Sequence, residues 1–117
     1  MEAILILAHG SREKQTEVDF QTLVDAVRSR TDKLVETAFM EFSPKSIASS
    51  LADLSSRGIR QVRVIPYFLF TGVHIRKDIP EEIAAFREEN PGMEIVLEPV
   101  LGTDPRMVDL LAERING

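Results

Sequence analysis

Near the start of the chain, Ala3-Ile4-Leu5-Ile6-Leu7-Ala8 forms an unbroken apolar run that ends at His9-Gly10-Ser11. A short apolar run closed by a turn signal reads as a strand buried on both faces. Beyond the break, Val18, Phe20, Leu23, Val24 and Val27 stand in a polar stretch. Positions 20, 23, 24 and 27 follow the i, i+3, i+4, i+7 spacing of an amphipathic helix. Leu34–Phe42 reads as a second strand, with Val35, Thr37, Phe39 and Glu41 on one face. Ser43-Pro44 looks like a helix start, Ser capping and Pro in the first turn, ahead of the stripe Ile47, Leu51 and Leu54. Gly58 suits a left-handed C-cap. A third strand is expected over about Arg60–Pro66, followed by a long connection from Tyr67 to Lys77. Asp78 is expected to cap a helix with stripe Ile79, Ile83 and Phe86, which Asn90-Pro91-Gly92 stops. Glu94–Leu97 reads as a short strand, and Asp104-Pro105 opens a last helix carrying Val108, Leu111 and Ile115.

Strands and helices therefore alternate as βαβαβαβα. That pattern predicts an α/β fold, a four-stranded parallel sheet flanked by helices, in one domain spanning residues 1–117. The strand order expected for the fold type is 2-1-3-4. It sets strands 1 and 3 side by side with connections leaving in opposite directions, the switch point where such sheets bind ligands. His9 would stand at the end of strand 1, Glu41 near the end of strand 2, and His74 in the connection after strand 3.

Composition narrows what such a site can do. The 117 residues include no cysteine, which excludes disulfides, thiolate nucleophiles and cysteine-ligated metal centres. A net charge of −5 disfavours a nucleic-acid partner. No apolar run approaches the roughly 18 residues that span a bilayer, and Met1-Glu2-Ala3 lacks a basic signal-peptide start. The expectation is a cytoplasmic protein with no membrane partner.

His9 and His74 are the chain's two histidines. Imidazole ligates metals and moves protons near neutral pH. Gly10 allows a sharp turn, Ser11 can cap the following helix, and Arg12 offers a fork of donors to carboxylate or phosphate. His9 also fits an ordinary strand-to-helix turn, and His74 an ordinary surface loop. Tyr67, Phe68 and Phe70 either wall a pocket for a flat ligand or simply pack into the core. Glu41 is either a solvent-facing residue or a buried-edge acid that needs a partner. Two His and one Glu together would make an open site for a divalent transition metal.

In order along the chain come Ala8-His9-Gly10-Ser11-Arg12, Phe39-Met40-Glu41-Phe42 with Pro44 and Ser46, and Val64-Ile65-Pro66-Tyr67-Phe68-Leu69-Phe70. Gly72-Val73-His74, Asp78-Ile79-Pro80 and Pro99-Val100-Leu101-Gly102 complete the set. This ordered set resembles the small, single-domain sirohydrochlorin cobaltochelatases, a branch of the class II tetrapyrrole chelatases, over nearly the whole chain. The histidine-rich stretch that many small members carry is absent. The resemblance implies insertion of a divalent metal into sirohydrochlorin in cobalamin biosynthesis, Co²⁺ first, with Ni²⁺ or Fe²⁺ as alternatives. The metal would be a substrate, and no permanently bound cofactor is implied. It also implies a homodimer, because larger members hold two such halves with the tetrapyrrole between them. His9 and His74 carry over as metal-binding and catalytic residues, and Glu41 as a catalytic group. Ser11, Arg12, Arg76 and Lys77 are candidates for the substrate's carboxylates, and Phe68 and Phe70 for its flat face. A non-catalytic metal or tetrapyrrole carrier on the same scaffold is the alternative. A phosphohistidine phosphatase is disfavoured, because Ala8 stands where that chemistry needs Arg.

Overall fold

The computed structural model describes all of residues 1–117. Four parallel strands, β1 (Glu2–Ala8), β2 (Leu34–Phe39), β3 (Gln61–Pro66) and β4 (Glu94–Leu97), form one sheet in the order β2-β1-β3-β4. The helices are α1 (Lys14–Arg28), α2 (Ile47–Ser56), α3 (Val73–Glu89) and α4 (Pro105–Asn116), with a 3-10 turn at Leu101–Thr103. The expected fold class and strand order both hold. No helix is long and apolar enough to cross a membrane.

The apolar run of β1 is buried on both faces because strands flank it on both sides and helices cover it above and below. Alternate residues feed two cores. Ala3, Leu5 and Leu7 join Ala38, Val62, Val64 and Ile95 under the α2 and α3 residues Ile47, Leu51, Leu54, Ile79 and Ile83. Ile4, Ile6 and Ala8 join Val35 under Phe20 and Val24 of α1. At the amino edge of the sheet, Lys33 and Arg63 both reach Glu2 Oε1, at 2.7 and 3.0 Å. These two cations hold the Glu2 carboxyl below its ordinary range.

Three expected boundaries move, each for a local reason. β2 ends at Phe39, three residues early, because the chain bends through Met40–Pro44 with Phe42 in the left-handed region at φ 62°. α2 starts a turn later than Ser43-Pro44 implies. Its cap is Ser46, which exchanges hydrogen bonds with Ser49 in a capping box and brings Ile47 directly into the core. α3 begins at Val73, with Gly72 as its N-cap, so Asp78 lies inside the helix and caps nothing. Asp78-Ile79-Pro80 mimics a helix start, but the apolar stripe already runs from Ile75 through Ile79 to Ile83. The helix passes through Pro80. The connection after β3 is accordingly the six residues 67–72 rather than Tyr67–Lys77.

Candidate functional site

Both β1 and β2 deliver their carboxyl ends to the same place, and main-chain hydrogen bonds tie those ends together. Beyond the last strand pair, Met40 N–H donates to the Ala8 carbonyl and Glu41 N–H to the His9 carbonyl, each at 3.0 Å. The two connections therefore run side by side past the sheet. Gly10, at φ +96°, sits in the contact, and a Cβ there would lie 2.0 Å from the Glu41 carbonyl oxygen. Only glycine allows that approach. The clamp sets the side chains of residues 9 and 41 opposite each other, with His9 Nε2 3.2 Å from Glu41 Oε1. Both remain open to solvent, at 53% and 47% side-chain exposure, so a ligand can reach them.

A cavity of about 400 Å³ opens beside this pair. Its apolar lining includes Ala8, Phe20, Phe39, Phe42, Pro44 and Tyr67, and its polar lining includes His9, Ser11, Thr16 and Glu17. Phe20 packs against Phe39 and Tyr67 with ring centroids 5.6 and 5.5 Å away. Rings packed this way form a rigid apolar floor. At the rim, the Arg12 guanidinium carbon lies 4.6 Å from the centroid of the Phe42 ring. That is cation–π distance, and it places a positive charge beside the opening.

The expected site residues divide between those at the end of β1, beside the cavity, and those elsewhere. His9, Glu41, Ser11 and Arg12 come together at the end of β1. Ser11 does not cap α1: its Oγ accepts from Glu13 N–H at 3.0 Å, and the N-cap is Glu13 without a side-chain cap bond. His74 lies on the first turn of α3, exposed, at the same edge of the sheet but outside the cavity lining. No three His, Asp or Glu side chains converge here. Arg76 donates to the Thr71 carbonyl at 3.2 Å, and Lys77 faces Glu81 one turn along at 3.9 Å. Phe68 packs against the α2–α3 core, and Phe70 is 73% exposed. The aromatic floor is made by Phe20, Phe39 and Tyr67 instead. Phe20 was legible only as part of a helix stripe, because stripe residues and pocket residues share the same spacing.

The segment after β4 holds the 67–72 connection in place. Leu101 N–H donates to the Phe68 carbonyl at 2.9 Å. A Cβ on Gly102 would lie 1.9 Å from the Leu69 carbonyl oxygen and 3.0 Å from Phe70 Cζ. Gly102→Ala should therefore push that connection outward and destabilise the protein by about 1–3 kcal/mol. Faster proteolysis between residues 67 and 72, with a lowered Tm, is the expected readout. Unchanged cleavage would mean that the connection does not depend on this contact.

A family model described as CbiX matches residues 3–117. The chain belongs to the CbiX family. This CbiX-family chain is 32% identical over 117 residues to the sirohydrochlorin ferrochelatase of Priestia megaterium, covering 99% of this chain and 44% of that protein. It is 31% identical over 116 residues to the sirohydrochlorin cobaltochelatase of Sulfurisphaera tokodaii, covering 99% of this chain and 92% of that one. Among solved structures, it superposes with a TM-score of 0.85 on the sirohydrochlorin chelatase SirB from Bacillus subtilis subspecies spizizenii in complex with cobalt. The identity there is 27%, over 98% of this chain and 50% of SirB. The chain thus spans about half the length of some relatives and nearly the full length of others.

Proposed function

We propose that this chain inserts a divalent metal into sirohydrochlorin, with Co²⁺ as the leading substrate and Ni²⁺ or Fe²⁺ as alternatives. The observation that carries the reading is the His9–Glu41 pair, 3.2 Å apart, at the rim of an aromatic-floored cavity beyond the end of β1. The names of the relatives support the substrate. They are divided on the metal, one naming iron and another cobalt.

The chemistry asks for two kinds of lone pair. A metal must exchange water for ring nitrogens, and two ring N–H protons must leave. Imidazole and carboxylate are both electron-pair donors, and one lone pair cannot hold a metal and accept a proton at once. His9 is assigned to the metal and Glu41 to ligand assistance or proton acceptance. His74, on the first turn of α3, is the second imidazole for the metal. Phe20, Phe39 and Tyr67 give the macrocycle an apolar face, and Arg12 meets one of its carboxylates at the rim. Holding metal and ring in one cleft supplies the proximity that free solution lacks. The working unit is a pair of copies, each contributing one wall to the flat substrate.

The test is a single-turnover assay following the absorbance of sirohydrochlorin with Co²⁺, Ni²⁺ or Fe²⁺ in turn. Metal-dependent spectral change faster than the protein-free reaction is expected with at least one metal. Binding of the tetrapyrrole without accelerated insertion of any of the three would overturn catalysis in favour of a carrier. The ranking of rates gives the protein's own preference among the three metals, apart from cellular supply.

A further inference from the structure

Of the 12 residues that line the cavity, only His9, Glu17 and Tyr67 carry titratable side chains. Glu41 lies against His9 but outside the lining. The proton balance of metal insertion makes that division informative. The metal takes the electron pairs of the ring nitrogens, and the N–H protons it displaces need an acceptor within reach of the ring. His9 and Glu41 are poorly suited once a metal is bound. Their lone pairs then point at it, and its positive charge weakens any base beside it. The hydroxyls in the lining carry protons of their own. Glu17 is the one carboxylate on the cavity wall.

The geometry of α1 puts it there. Thr16, Glu17 and Phe20 are the residues of α1 in the lining. Residues three and four apart share one face of a helix, so these three form a continuous strip. Helical side chains lean toward the N-terminus, so Phe20 reaches back over the turn that carries Glu17. Phe20 is also the ring of the aromatic floor that contacts both others, Phe39 and Tyr67. A flat ligand lying on that floor therefore meets the Glu17 carboxylate. Nothing else in the chain engages it. Gln15 and Asp19 bond to each other at 2.8 Å, Thr22 bonds to the Val18 carbonyl, and Glu17 makes no side-chain hydrogen bond or ion pair. Nor does it join His9 and Glu41 as a third ligand, since no three such side chains converge. An acid in the first turn also suits the helix dipole, a role that involves no substrate and that the experiment below separates.

We infer that Glu17 is the proton acceptor of metal insertion, and that Glu41 serves beside His9 as a ligand. The assignment rests on the reaction proposed above. In each of two equivalent steps a ring N–H bond breaks, its electron pair passes from the nitrogen to the metal, and the proton goes to a Glu17 carboxylate oxygen. Glu17 is exposed, so between steps it releases that proton to water. The sum is one divalent metal in and two protons out, with no change of oxidation state. Keeping the base apart from the ligands lets the site hold the metal and take protons at the same time, which one lone pair cannot do.

Glu17→Gln tests it, because the amide keeps the shape and cannot take the proton. With sirohydrochlorin and Co²⁺ both saturating, single-turnover insertion should fall about 100-fold, the scale of a lost general base. Affinity for Co²⁺ alone, affinity for sirohydrochlorin alone and the far-ultraviolet circular dichroism should stay as in wild type. Glu17→Asp should recover part of the rate. Glu17→Ala leaves room for a small carboxylate, so added formate should raise its rate about 10-fold while leaving wild type unchanged. A helix-dipole role predicts none of this rescue. A loss confined to sirohydrochlorin affinity, or a Glu17→Ala rate that formate does not raise, overturns the assignment. Two failures stay distinguishable. If wild type inserts metal and Glu17→Gln matches it, the assignment falls and the reaction stands. If wild type inserts none of Co²⁺, Ni²⁺ and Fe²⁺, both fall.

Discussion

His9→Ala is expected to lower the rate of metal insertion by about 100-fold or more while leaving the protein's Tm within about a degree of wild type. The rate effect follows from removing the imidazole that would ligate the metal, since losing even an outer-shell partner of a ligand commonly costs about 10–100-fold in metal affinity or activity. The absence of a stability effect follows from exposure. The side chain is 53% open to solvent, and its partner Glu41 is 47% open, so their contact contributes little to folding. What holds the loops together is main chain, the Met40 N–H to Ala8 and Glu41 N–H to His9 hydrogen bonds, which alanine preserves. Glu41→Gln is the matched variant: it keeps the shape and removes the charge. It should slow insertion about 10-fold and weaken Co²⁺ binding less than His9→Ala does. Wild-type insertion rates in both variants would place the chemistry elsewhere. His74→Ala then becomes informative about geometry. A loss comparable to that of His9→Ala would mean that a second imidazole reaches the metal, from an α3 turn drawn inward or from the other copy, since the two imidazoles of one chain do not share the cavity lining.

The order of strands and helices is open to reading from the residues, and the side-chain architecture is not. The run Ala3–Ala8 could be read as a doubly buried strand because six consecutive apolar residues leave no polar face. The βα alternation then supplied the sheet and the switch point. His9 and Glu41 were legible as neighbours because both follow strand ends that a 2-1-3-4 order brings together. Residue order places His74 in a loop, because Asp78-Ile79-Pro80 carries the chemistry of a helix start. Only the upstream Ile75, on the same stripe as Ile79 and Ile83, argued otherwise. The aromatic floor has a similar explanation: residue order offers Tyr67, Phe68 and Phe70 together, and of the three the cavity takes Tyr67. Phe68 and Tyr67 are adjacent, and a one-residue step along an extended chain reverses the direction of a side chain. Tyr67 turned to the cavity and Phe68 to the α2–α3 core. The left-handed backbone of Phe42 had no signature at all, because residue type alone gives no reason to expect φ 62° at a phenylalanine. Strain of that kind gathers at sites where surrounding structure over-determines the backbone, and here it turns the chain back after Glu41.

Gly10→Ala should be severely damaging, because a backbone clash and a left-handed backbone fall on one residue. Its Cβ would stand 2.0 Å from the Glu41 carbonyl oxygen and 3.0 Å from the Glu41 carbonyl carbon. Both are backbone atoms that cannot rotate away. The residue also sits at φ +96°, which side chains other than hydrogen rarely adopt. Relief requires the β1 turn to move off the Met40–Glu41 segment, breaking the Glu41 N–H to His9 hydrogen bond and separating the two side chains. The expected cost is about 2–4 kcal/mol of stability, together with loss of insertion as large as that of His9→Ala. Gly58→Ala is the comparison that separates the two causes. Gly58 is also left-handed, at φ +83°, but nothing lies within 4 Å of a Cβ there. It should cost about 1 kcal/mol through backbone strain alone and leave insertion untouched. Denaturant melts of both variants, with single-turnover rates beside them, test the difference. Equal stability losses would show that conformational strain and not close approach dominates at Gly10. Full activity in Gly10→Ala would show that the clamp between the first two strand ends does not hold the reacting groups.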